Sequence, residues 1–141
     1  MTVSESIISW LREFNPEEYW RMKKIDTELQ SSHIESYSLV REPVQNVKKY
    51  ISGKSIYTDH YTIQARLSGN TDTERVENNG FGEALENWVY ENNRQGLFPA
   101  LEDAVVKNIA VTTPFYVWRT DNSSFVYKLT IAKKYEKERN V

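Results

Sequence analysis

Cysteine is absent from this chain of 141 residues. That removes disulfides, thiol nucleophiles and cysteine-held zinc from its repertoire, and it fits a reducing compartment. Histidine is nearly as scarce, with only His33 and His60, and they form no HExxH pair of the kind that holds a catalytic zinc. Charge of one sign is not in excess either. Eighteen Lys and Arg stand against 20 Asp and Glu, for a net charge of −2, whereas binding driven by nucleic-acid phosphates needs a basic surplus. No apolar run approaches the roughly 20 residues of a membrane span. The start, Met1-Thr2-Val3-Ser4-Glu5-Ser6, lacks the basic and apolar regions of a signal peptide. The expectation is a soluble protein, made in a cytoplasm, with no membrane partner.

Aromatic residues are plentiful: 4 Trp, 9 Tyr and 5 Phe, or 13% of the chain. Each can bury a large area, so a chain of this length can close one hydrophobic core as a single domain, residues 1–141. Surplus Tyr and Trp also suit an interface.

The periodicity predicts an N-terminal helix over about 3–14, with Val3, Ile7, Trp10, Leu11 and Phe14 on one stripe and Asn15-Pro16 as its stop. Glu17 to Trp20 suits a further helical turn, and Ile25 to Gln30 is a weak strand pattern. Short strands are expected over Ser36 to Arg41, where Pro43 ends the strand or marks an edge, and over Val47 to Ile51, leading to a turn at Ser52-Gly53. The strongest strand pattern is Tyr57 to Leu67. Tyr57, Tyr61, Ile63, Ala65 and Leu67 share one face, interrupted by Asp59, and polar residues take the other. A polar loop over Ser68 to Thr73 precedes a second helix at about 73–95, whose stripe is Phe81, Leu85, Trp88 and Val89 and whose stop is Gly96. Gly80 and Gly82 inside it either delay its start or permit a close backbone contact. A strand hairpin at about 105–135 completes the chain, with a charged, frayed tail from Glu136. The implied fold is α+β: a mainly antiparallel sheet with two helices packed on one face. The other face carries Tyr116, Trp118, Val126 and Ala132, too apolar for a free monomer, so part of it is expected to meet another subunit.

The residues do not converge on a catalytic constellation. Asp59 and His60 are strand neighbours that point to opposite faces, so they cannot form a dyad. His33 sits in a polar Ser31-Ser32 context that reads as a turn. Gly80-Phe81-Gly82 lacks the third glycine of a dinucleotide fingerprint, and Gly53-Lys54-Ser55 matches only the end of a phosphate-binding loop. Lys48, Lys49 and Lys54 flank a turn, while Lys133, Lys134 and Lys137 alternate with Glu136 and Glu138, so both groups are expected on solvated surface. No catalytic residue, cofactor site or metal site is assigned. The alternative from another functional class is a small-ligand or enzymatic α+β domain with a cleft near His60.

Several segments carry a resemblance. Tyr37-Ser38-Leu39-Val40-Arg41-Glu42-Pro43, Val47-Lys48-Lys49-Tyr50-Ile51-Ser52-Gly53, the Tyr57 to Leu67 strand, Asn79 to Trp88 and Asn108 to Tyr116 resemble bacteriophage minor capsid proteins. Those in turn are similar to the tail terminators, or tail completion and head–tail joining proteins, of long-tailed phages. The resemblance implies a small α+β structural protein of the virion, not an enzyme. It would form a homo-oligomeric ring, a hexamer, that caps the tail tube protein and meets the head connector (stopper) protein. DNA would pass through its pore without specific binding. Tyr116, Trp118, Lys48, Lys49 and Lys54 are the expected subunit or tail contacts, with the Pro43–Lys54 and Ser68–Asn79 regions around them.

Overall fold

The clearest alternation in the sequence becomes the centre of the sheet. A computed structural model describes residues 3–14, 25–27, 36–101, 104–121 and 124–138, and the statements below concern these residues. Helix α1 (Val3–Leu11) is followed by strands β1 (Ile25–Thr27), β2 (Ser36–Lys49) and β3 (Lys54–Ser68). Then come helix α2 (Asp72–Gln95) and the hairpin β4 (Val105–Asp121) and β5 (Ser124–Glu138). The sheet order is β1-β2-β3-β5-β4. All pairings are antiparallel except that of the three-residue β1, which runs parallel to β2. This is the expected α+β arrangement.

Tyr61, Ile63, Ala65 and Leu67 of β3 oppose Ile131, Leu129, Tyr127 and Phe125 of β5, so one register places these eight apolar side chains on the same face. Tyr37 and Leu39 of β2 continue that face through Ala65 and Ile63, and Ile109 of β4 extends it. Onto it pack Ile7, Trp10, Leu11 and Phe14 from the α1 region and Phe81, Leu85 and Val89 from α2. An aromatic chain ties the two helices together, because the Trp88 ring lies 4.5 Å from Trp10 and 5.5 Å from Phe14.

The helix ends follow from local chemistry. Thr71 caps α2 by accepting the Glu74 N–H at 3.1 Å. Gly96, at φ 73°, closes it in the left-handed conformation that glycine adopts without steric cost. Helix α1 stops at Leu11, three residues before the expected end. Its chain then tightens through Glu13 N–H to Trp10 C=O and Phe14 N–H to Leu11 C=O bonds, which carry Phe14 into the core. At Gly82 the helix lies tight against β4: a Cβ there would fall 2.3 Å from the Phe115 ring. The glycine therefore permits a close contact within a helix that starts at Asp72.

Three other expectations are corrected. Of the two readings of Pro43, the strand end fails, since β2 runs unbroken from Ser36 to Lys49, while the edge reading fits: the ladder to β3 skips between Arg41 and Gln45, and the proline sits in that irregularity, beyond the last β1 partner, Leu39. Glu136 does not begin a frayed tail, because β5 continues to Glu138 and Glu136 forms ion pairs with Lys54 at 3.4 Å and Lys107 at 3.5 Å. Val126 is fully buried on the second sheet face, beside the buried Arg66 and Ser124, so it adds nothing to an exposed patch. The expected helical turn at 17–20, the Asn15-Pro16 stop, His33 and the 28–30 part of the first strand pattern lie outside the described residues.

Candidate interaction surface

Strand β4 forms one edge of the sheet, and its ladder to β5 is irregular at four places between Val106 and Arg119. Bulges of this kind re-aim side chains and blunt an edge, and Pro114 within the strand removes one donor from that edge. They also break the simple alternation expected for the strand. Phe115 still turns to the helix side and stacks on Tyr127 at 4.6 Å, with the rings only 7° from parallel. Val117, two residues further on, is exposed instead.

On the second face the same strand presents Tyr116 and Trp118, which keep 43% and 44% of their surfaces. Tyr116 lies opposite Lys128 of β5. The Lys128 Nζ sits 3.7 Å from the centre of the Trp118 ring, and the Arg119 guanidinium 4.8 Å from it. The two cations hold the indole by cation–π attraction and stiffen its position. Neither cation, nor the exposed Lys134 further along β5, has an ion-pair partner among the described residues.

The other expected contacts lie at the far end of the sheet. Tyr50 N–H to Lys54 C=O (2.9 Å) and Gly53 N–H to Tyr50 C=O (3.1 Å) close the β2–β3 turn, with Gly53 at φ 93°. There the Tyr50 ring is flanked by Lys48 Nζ at 5.4 Å and Lys54 Nζ at 5.9 Å, while Ile51 projects into solvent. The structure thus separates the five expected residues into two places. Tyr116 and Trp118 form one patch; Lys48 and Lys54 meet around Tyr50 in the other, with Lys49 exposed on the same turn.

Lys133 is the residue that sequence reasoning misplaces. It is fully buried on the helix side of the sheet, directly opposite the buried Asp59. Among the described residues its Nζ has no hydrogen-bond acceptor, and it lies 5.2 Å from the Tyr135 ring and 6.0 Å from the Tyr61 ring. Burial pushes the ammonium pKa down to about 8, against the opposing pull of Asp59. Burial, and then the Asp59 charge, hold the Tyr135 hydroxyl above its ordinary value. Asp59 itself accepts from Gln45 Nε2 at 2.5 Å and lies 3.8 Å from Arg41. Asp59 interrupting the apolar face of β3 was the available signal: a carboxylate on a core-facing position calls for a cation on the adjacent strand.

The sites weighed for chemistry find structural settings. His60 stands on the second face with its Nε2 3.1 Å from Asn46 Oδ1, while Asp59 faces the other way. Gly80-Phe81-Gly82 lies inside α2, not at a strand-to-helix turn, and Gly53-Lys54-Ser55 joins two strands. A cavity of about 150 Å³ lies between α1 and the 98–100 segment, lined by Ser6, Ser9, Trp10, Glu13, Phe98, Pro99 and Ala100. It falls short of the ~300 Å³ at which small-molecule pockets begin. Two of its polar groups already serve the fold: Ser6 Oγ donates to the Ala100 carbonyl, and Trp10 Nε1 donates to the Leu97 carbonyl. Among the described residues no helix is long and apolar enough to cross a membrane, and no His, Asp and Glu cluster suited to a metal ion occurs. Comparison of the chain with protein-family models gives no match, and comparison with curated proteins gives no significant one.

Proposed function

We propose that this protein is a structural component of a phage virion: a tail terminator that assembles as a ring, caps the tail tube and joins it to the head connector. The family comes from the resemblance of the segments named above. The observation that carries the assembly role is the Tyr116–Trp118 patch on an edge strand, two large half-exposed aromatic side chains of which Trp118 is held by Lys128 and Arg119. Aromatic anchors with arginine at their side are the composition of interface hot spots. The second contact zone of the same role is the β2–β3 turn, where Lys48, Lys49, Tyr50, Ile51 and Lys54 extend beyond the helix-covered core. Such a protein works by geometry: it offers one surface to its own copies and another to the tube.

Negative-stain microscopy of the purified protein, alone and mixed with tail tubes, tests the reading. Discrete rings, or caps at one end of the tubes, are expected. A monomer that stays monomeric at high concentration and leaves tubes unbound would overturn it.

A further inference from the structure

The two outer faces of this molecule are unlike in charge. Helix α2 carries six carboxylates, from Asp72, Glu74, Glu77, Glu83, Glu86 and Glu91, against two arginines. Arg75 pairs with Asp72, and Arg94 with Glu91 at 2.8 Å. Glu83 and Glu86 have no ion-pair partner among the described residues. The exposed stripe around them is not purely polar. Val76 is 70% exposed and Tyr90 65%, and they lie seven residues to either side of Glu83, almost two helical turns away in each direction. The opposite side of the sheet presents the reverse pattern: Tyr116 and Trp118 beside Lys128 and Arg119, with Lys134 further along β5, three cations that lack an acidic partner among the described residues.

We infer that the occupant of the Trp118 patch is the acidic outer stripe of α2 from a second copy of this chain, with Glu83 and Glu86 meeting Lys128 and Arg119. Val76 or Tyr90 packs against the Tyr116–Trp118 surface. The inference rests on the assembly role proposed above and gives it a direction. Because α2 packs on one face of the sheet and the patch lies on the other, a molecule cannot satisfy its own charges this way. The contact is therefore head-to-tail, and a pair of copies retains one unused face of each kind. Such heterologous contacts close into rings or continue as filaments. Unpaired charges of opposite sign also steer the encounter and disfavour the two like-charged alternatives, patch on patch and helix on helix.

The absence of cysteine makes the test direct. One sample carries Glu83→Cys and another Lys128→Cys, and the two are mixed under mild oxidation or with a short bis-maleimide. Crosslinked dimers are expected in the mixture and not in either sample alone. In parallel, Lys128→Glu should weaken self-association by about tenfold or more, and Glu83→Lys on the same chain should restore it. Crosslinks between two Lys128→Cys chains would instead reveal a two-fold contact and overturn the inference while leaving self-assembly intact. So would rings that are indifferent to both reversals. A wild-type protein that never self-associates would remove the assembly role itself.

Discussion

Asp59 and Lys133 stand directly opposite each other across the β3–β5 ladder, both buried, and one carboxylate oxygen of Asp59 and the ammonium of Lys133 lack hydrogen-bond partners among the described residues. Their attraction stops short of compensating the burial, because the lysine is still pushed down to about 8. Two buried opposite charges that attract without a direct bond are poor evidence of net stability; what they do is fix which residues may oppose each other. A slip of one residue between β3 and β5 would break their opposition, setting Lys133 against Thr58 or His60 instead.

That depressed value makes stability depend on pH with a definite sign. The unfolded chain binds a proton at Lys133 up to the ordinary lysine range, near 10.5, while the folded chain releases it near 8. The penalty of the buried charge is thus complete below pH 8 and fades as pH rises towards 10.5. Between pH 7 and 9.5 this residue should add ~2 kcal/mol to the unfolding free energy. Urea denaturation of the wild type and of Lys133→Met across that window measures it. The gain is expected in the wild type and absent from the variant; parallel pH profiles would refute it. Measurement stops at 9.5 because Tyr135, raised above its ordinary value, begins to oppose the trend once an unfolded tyrosine ionises.

Gly82→Ala sets a helix preference against packing. In an exposed helix the change would stabilise by roughly 1 kcal/mol. Here the new methyl would meet three Phe115 carbons at 2.3–2.8 Å. Phe115 cannot easily yield, since it is stacked on Tyr127 and set edge-on to Phe81. A net loss of ~1–3 kcal/mol is expected, as for other overpacked cores. Adding Phe115→Leu to Gly82→Ala should recover part of it. Equal stability of Gly82→Ala and wild type in chemical denaturation would show that the layers are not in contact there.

What was legible in the sequence was what neighbours along the chain decide. Helix α2 ends at Gly96 as expected because capping involves only the adjacent turn, and β3 alternates because its two faces meet different surroundings. Lys133 was not legible: its run of Lys and Glu looks like solvated strand end, and only the register with Asp59 reveals a core position. The fate of β2 was hidden for a similar reason. Pro43 is a stop or an edge mark when read locally, and only the pairing of Gln45 to Lys49 with Asp59 to Ser55 carries the strand past it. For the candidate surface, the residue types Tyr116 and Trp118 were readable. The Lys128 and Arg119 cations that hold the Trp118 ring depend on where the bulges fall.

The α2 cap offers a smaller but cleaner test. The Thr71 hydroxyl accepts the Glu74 N–H and lies 3.3 Å from the Glu74 carboxylate, in an exposed position where little else changes on truncation. Thr71→Ala should cost ~1 kcal/mol and Thr71→Ser almost nothing. Thermal denaturation of both variants decides it. If serine and alanine are equally harmful, the methyl group and not the hydroxyl is what the site uses.

Trp10 combines two roles that substitution can separate. Its ring closes the contact between α1 and α2 through Trp88, and its Nε1 donates to the Leu97 carbonyl at 2.8 Å, tying α1 to the segment that follows α2. Trp10→Phe keeps most of the apolar volume and removes the donor, so a loss of ~1 kcal/mol is expected. Trp10→Ala removes both and leaves a cavity beside Phe14 and Trp88, for a loss of ~3–5 kcal/mol. The difference between the two variants in urea denaturation reports the packing contribution, and the first alone reports the hydrogen bond. Near-ultraviolet circular dichroism gives an independent check, because the Trp10–Trp88 pair, 4.5 Å apart and tilted by 47°, should give a coupled signal. That signal should vanish in Trp10→Phe and in Trp88→Phe alike. If it survives either change, the two rings do not form the joint through which α1 is held on the sheet.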